Sequence, residues 1–109
     1  MKKINSRQKG AQGEREFAGI CRTHGYTARR GQQFCGSNGD ADVVGLPNIH
    51  IEVKRVERLN LEGAMSQSIS DAKEGEKPIV AHRKNNCEWL ITMRMEDWFE
   101  LFREWEMGR

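Results

Sequence analysis

With 109 residues, the chain has room for one compact domain and little else. A hydrophobic fraction of 37% beside 31% charged residues excludes a disordered polymer, and no apolar run approaches the length of a membrane span. The net charge of +2 is small but unevenly spread: eight basic residues stand against two acidic ones from Met1 to Gly31, a local net of +6, while Glu96, Asp97, Glu100, Glu104 and Glu106 outnumber Arg103 and Arg109 at the other end.

A basic amino-terminal part suits phosphates, although an ordinary solvated surface explains charge alone equally well. Cys21, Cys35 and Cys87 are widely spaced and form no Cys-x-x-Cys pair. That pattern predicts free thiols in a reducing cytoplasm rather than a structural zinc site. The opening Met-Lys-Lys-Ile-Asn-Ser-Arg lacks the apolar stretch of a signal peptide, so a cytoplasmic protein without a membrane partner is expected.

The first predicted element is a helix from about Gly10 to His24, closed by Gly25. Phe17, Ile20, Cys21 and His24 recur at helical spacing as its buried stripe, with Gly13 and Glu14 one turn earlier on the same side and Glu16 off it. A short strand is expected over Tyr26–Arg30, then a Gly-rich loop to Asp40, then a strand over Asp42–Leu46 and a turn at Pro47-Asn48. Ile49 to Arg55 is the clearest strand, because Ile49, Ile51 and Val53 alternate with His50, Glu52 and Lys54. Asn60 caps a second helix running to about Glu74, with Leu61, Ala64, Met65, Ser68, Ile69 and Ala72 facing inward. Pro78–His82 and Glu88–Met93 form a hairpin around Lys84-Asn85-Asn86, and a last helix carries Trp98, Leu101, Phe102 and Trp105 on one stripe. The order α-β-β-β-α-β-β-α predicts an α/β domain over residues 1–109, a mixed sheet flanked by helices.

The chemistry centres on Asp42 and the Glu52-Val53-Lys54 run. Carboxylates on neighbouring strands suit a hard cation such as magnesium, and a spacing of two puts Lys54 on the face of Glu52. This set fits metal-assisted hydrolysis of a phosphodiester. Glu-x-Lys alone is more often an exposed pair on a half-wet strand. Three features shift the balance: a preceding strand that opens on an aspartate, a Gly-rich loop before it that allows close approach, and Glu14 beside an apolar stripe, where an unpaired charge is costly. The loop offers both Asp40 and Asp42, and Asp42 is preferred because Val43-Val44-Gly45 follows it directly. His24, His50 and His82 lack zinc spacing, and His50 is expected to be a packed or surface histidine. No Gly-x-x-x-x-Gly-Lys-Ser/Thr run occurs, so no nucleotide cofactor is expected.

Lys9-Gly10-Ala11-Gln12-Gly13-Glu14-Arg15-Glu16-Phe17, then Gly39-Asp40-Ala41-Asp42-Val43-Val44-Gly45 and Ile51-Glu52-Val53-Lys54, resemble in order the opening helix and two strand motifs of archaeal Holliday junction resolvases. The stretch from Gly45 to Glu57, Ala64-Met65-Ser66-Gln67, His82-Arg83-Lys84-Asn85 and Trp89-Leu90-Ile91-Thr92-Met93 resemble small phage and prophage proteins of the resolvase and PD-(D/E)xK nuclease group. The resemblance implies a restriction-endonuclease-like fold and a magnesium-dependent endonuclease, with manganese able to substitute, acting on DNA, branched DNA foremost. It implies metal ligation by Asp42 and Glu52 with the Val53 carbonyl, Glu14 near the metal, Lys54 as the catalytic lysine and Gln67 beside the centre, although spacing puts Gln67 off the apolar stripe. Ser37 matches a loop serine, and Arg29, Arg30 and Arg55 are candidate DNA contacts. Two symmetric cuts in a four-way junction imply a homodimer. A phage-encoded protein would work in the bacterial host's cytoplasm. A nuclease for flapped, nicked or plain duplex DNA, and a non-catalytic DNA-binding module of the same fold, remain alternatives.

Overall fold

A computed structural model describes residues 6–32 and 41–109, with side chains from residue 10 onward in the first helix. The elements run α1 (Ser6–Thr23), β1 (Arg29–Arg30), β2 (Val43–Val44), β3 (Ile49–Arg55), α2 (Leu61–Asp71), β4 (Lys77–Arg83), β5 (Leu90–Met93) and α3 (Met95–Met107). Helix α1 starts four residues before the expected Gly10 and ends before Gly25, whose φ of 95° is the left-handed conformation that terminates helices. Asn60 accepts the Gly63 N–H at 3.0 Å and caps α2 as expected. That helix stops at Asp71 instead of about Glu74, because Ala72 is already extended.

The five strands lie in sequence order in one sheet. Strands β1, β2 and β3 are successively antiparallel, β3 and β4 are parallel, and β5 returns antiparallel along β4. A parallel pair needs a crossover, and α2 supplies it.

Alternation along the strands sorts the two layers. Val43, Ile51, Val53, Ile79 and Ala81 join Phe17, Ala18 and Cys21 of α1 in one core, with Trp89 and Met93 packed at its margin. Pro78 and Val80 point the other way and are fully buried. On that side α2 turns Ala64 and Ser68 inward, and the Ser68 hydroxyl donates to the Ile79 carbonyl at 2.9 Å. Burying a hydroxyl without a partner is costly, so this bond fixes the height of α2 on β4.

Two expected inward residues are exposed. His24 lies past the last turn of α1, and Ile69 sits on the outer edge of α2. Glu16 departs the other way: it is half-buried where exposure was expected.

Helix α3 does not close the core. Its aromatic residues stack on one another, with Trp98 and Phe102 centroids 5.2 Å apart and Phe102 and Trp105 5.5 Å apart, while Trp98 and Trp105 stay exposed. A Lys77–Glu100 ion pair ties the helix to β4, and the buried Asp97 accepts from Arg94 Nε at 3.1 Å within the helix's own first turn. Leu90 and Ile91 on the edge strand β5 are exposed as well.

Candidate active site

The antiparallel register Val43↔Ile51 sets Asp42 opposite Glu52 at the end of β2. The Asp42 N–H donates to the Ile51 carbonyl at 3.0 Å. The Val53 N–H donates at 2.9 Å to Asp42 Oδ2, so the Asp42 side chain takes the place of a strand carbonyl and its carboxyl is fixed. Glu52 is 5% exposed, and Lys54 follows two residues on, on the same face and half-buried.

Helix α1 brings Glu14. A Cβ on Gly13 would fall 2.8 Å from the Arg55 Cβ, so the absence of a side chain there lets the helix lie close over the end of β3. Helix α2 brings Gln67. Glu14, Asp42, Glu52, Val53, Lys54 and Gln67 line one cleft of about 300 Å³, together with Arg55. Gln67 reaches it although it lies off the apolar stripe, because the cleft opens along the edge of α2 that faces water.

The carboxyls of the cleft crowd Asp42. Burial, then the charge of Glu52 and a hydrogen bond to it, with Glu14 adding to the effect, push Asp42 up to about 7 against the pull of the Val53 N–H. Clustered carboxyls that hold a proton in this way suit a divalent cation, which reverses that balance. Asp42 and Glu52 offer carboxylate oxygens, the donors a hard divalent cation takes, while Glu14 of the same cleft is paired with Arg30.

The expected DNA contacts are divided. Arg30 Nε lies 3.0 Å from Glu14 Oε1, within the site itself, and Arg29 is exposed beside it, donating to the Arg30 carbonyl at 3.0 Å. Arg55 is turned inward: its Nε is 3.4 Å from Glu16 Oε2 without hydrogen-bond alignment, and its Nη1 donates to Asn85 Oδ1 at 3.1 Å. Ser37 and Asp40 lie outside the described residues.

Two groups escaped the periodicity. Glu16 accepts from Trp89 Nε1 at 2.8 Å and from Arg83, tying α1 to β4 and to the start of β5. Burial opposes its charge, but these hydrogen bonds and the guanidinium groups of Arg83 and Arg55 outweigh it and hold the carboxyl below its ordinary range. His50 is buried, with Nε2 3.1 Å from Glu52 Oε1 and Nδ1 3.8 Å from Glu76 Oε1. The hydrogen bond to Glu52 raises its pKa, with burial opposing. One of its ring nitrogens, one carboxylate oxygen of Glu52 and one of Asp71 lie within 4.8 Å of one another. Its place two residues before Glu52 was the available signal.

The mixed five-stranded sheet with its flanking helices is a restriction-endonuclease-like α/β fold. The solved structure of Archaeoglobus fulgidus Hjc, a Holliday junction resolvase from an archaeal hyperthermophile, is similar to it, with a TM-score of 0.58 over 78% of this chain and 72% of that one. The two share 22% sequence identity, so the likeness is one of fold. No family model and no curated protein sequence matches the chain. Among the described residues, no helix is long and apolar enough to cross a membrane.

Proposed function

We propose that the chain is a metal-dependent DNA endonuclease of the PD-(D/E)xK type that cuts branched DNA. The observation that carries this reading is the convergence of Glu14, Asp42, Glu52, Lys54 and Gln67 on one cleft. The likeness in fold to a Holliday junction resolvase supports the branched substrate. Asp42 and Glu52, with the Val53 carbonyl and Glu14 beside them, would hold magnesium, and manganese by the same oxygen chemistry. A divalent cation held there supplies Lewis-acid polarisation of the scissile phosphate.

The chain's own groups do the rest. Asp42 and Glu52 would fix where that cation sits and so where the scissile phosphate can approach. The Lys54 ammonium, two residues from Glu52, steadies the attacking water and balances the negative charge that grows on the phosphoryl oxygens. Lys54→Ala is therefore expected to lower turnover by about 100-fold while changing DNA affinity little. Single-turnover cleavage beside a binding titration separates the two, and a loss confined to affinity makes Lys54 a plain phosphate contact.

The deciding assay compares four-way junctions, flaps and linear duplex with magnesium, with manganese and with chelator. Preference for the junction supports the resolvase reading. Equal cutting of linear duplex leaves a simpler nuclease, and metal-independent binding without cleavage leaves a DNA-binding module. Arg29 and Arg30, at the mouth of the site, would contact the DNA backbone. Replacing both with Ala should weaken binding to all sequences and flatten its dependence on salt, which a titration at several ionic strengths reads.

Two cuts in one junction call for two such sites, and a homodimer provides them. The exposed aromatic face of α3 supplies apolar area for the contact. Light scattering at micromolar concentration should give twice the monomer mass of 12.6 kDa, and Trp105→Glu should return the monomer mass.

A further inference from the structure

Strand β3 carries an imidazole that the proposed chemistry does not use. His50 lies on the face of Glu52 and is 5% exposed, with Nε2 3.1 Å from Glu52 Oε1. Nδ1 is 3.8 Å from Glu76 Oε1, beyond hydrogen-bond reach, and one carboxylate oxygen of Asp71 lies within 4.8 Å of a ring nitrogen. A proton on Nε2 makes the ring a donor to Glu52 Oε1.

Glu52 needs such a donor. A glutamate has three side-chain torsions, and a buried carboxylate has little water to hold it. Asp42 is fixed by the Val53 N–H, but Glu52 has no backbone donor of that kind among the described residues. The His50 Nε2 atom, 3.1 Å from Glu52 Oε1 and buried with it, is the donor that holds this carboxylate.

We propose that His50 is a positioning residue for Glu52: its Nε2–H occupies Oε1 and presents the carboxylate to a divalent cation in a fixed orientation. The proposal rests on the reading of Glu52 as a metal ligand. It assigns part of the cation affinity to a residue outside the cleft lining, since hydrogen bonds to ligating carboxylates typically carry about 10- to 100-fold in affinity.

Two substitutions separate the ring nitrogens. The side-chain amide of Gln reaches the place of Nε2, whereas the shorter Asn reaches that of Nδ1. Mn2+ binding to the wild type, His50→Gln, His50→Asn and Asp42→Asn is measured by calorimetry without DNA, and folding of each variant is checked by thermal denaturation. His50→Asn should bind Mn2+ about 10- to 100-fold more weakly, with His50→Gln close to the wild type. Wild-type affinity in His50→Asn overturns the positioning role and leaves the site reading intact. A loss in His50→Gln as large as in His50→Asn overturns it too, and serves if the Asn variant fails to fold. Two Mn2+ per chain, falling to one in both His50 variants, overturns it in favour of a ligand role. No binding by the wild type, or unchanged binding by Asp42→Asn, overturns the site reading and this proposal together.

Discussion

Asp42→Asn should abolish cleavage and, in the same protein, raise metal-free stability. The loss of turnover is expected to be at least about 100-fold, since removing a ligand carboxylate removes several kcal/mol of transition-state stabilisation. Glu52→Gln should do the same. The gain in stability follows from the position of Asp42 at about 7 in the folded protein, well above an ordinary aspartate. Between pH about 4 and 7 the folded protein keeps a proton that the unfolded chain has released. Stability from this group is therefore complete at low pH and lost as pH rises toward 7. Asn carries no charge and keeps an acceptor for the Val53 N–H, so the variant should exceed the wild type in chelator at pH 8 by on the order of 2 kcal/mol. Urea denaturation at pH 5 and pH 8 reads the difference, and labelled junction DNA reads cleavage. Full cleavage by Asp42→Asn would transfer the ligand role to Asp40.

Gly45→Ala should damage the fold far more than the same change at Gly25. Gly45 has φ 126°, and a Cβ built on it would fall 2.4 Å from the Thr27 carbonyl oxygen and 2.6 Å from the Ala28 Cα. Both obstacles are backbone, so no side-chain rotation relieves them. The expected loss is about 3 kcal/mol or more, read as a fall in the urea midpoint. Gly25→Ala is the matching control. Its φ is 95° with open space around the missing Cβ, so it should cost only the conformational penalty, about 1–2 kcal/mol.

What the sequence disclosed follows from the range of the forces involved. Strand β3 was legible because its apolar and polar positions alternate without interruption from Ile49 to Lys54. The turns at Pro47-Asn48 and Asn85-Asn86 were legible because asparagine tolerates the positive φ found there, 65° at Asn48 and 61° at Asn86. The meeting of Asp42 with Glu52 was legible as the pairing of neighbouring strands, whereas the register Val43↔Ile51 that sets them opposite each other was not, because alternation within one strand does not fix its partner. Glu16 was not legible, since its partners Arg83 and Trp89 stand 67 and 73 residues away. The outward aromatic face of α3 was legible in part: its spacing fits a core stripe or a contact with a second copy, and only the closed layers of α1, the sheet and α2 leave it without a place inside.

The Glu16 junction also sets a timetable for biosynthesis. Glu16 reaches Trp89 and Arg83, while the carboxyl of Glu14 two residues earlier belongs to the cleft. A nascent chain that has made β3 already holds Asp42, Glu52 and Lys54 and can pack α1 on β3, but Glu16 gains its hydrogen-bond partners only when the residues through Trp89 have left the ribosome. A fragment ending before β5 would carry every group of the cleft with α1 laid on β3, but without the Trp89 hydrogen bond that pins Glu16. If the cleft cuts DNA as proposed, such a fragment would hold Glu14 less firmly than the finished chain does.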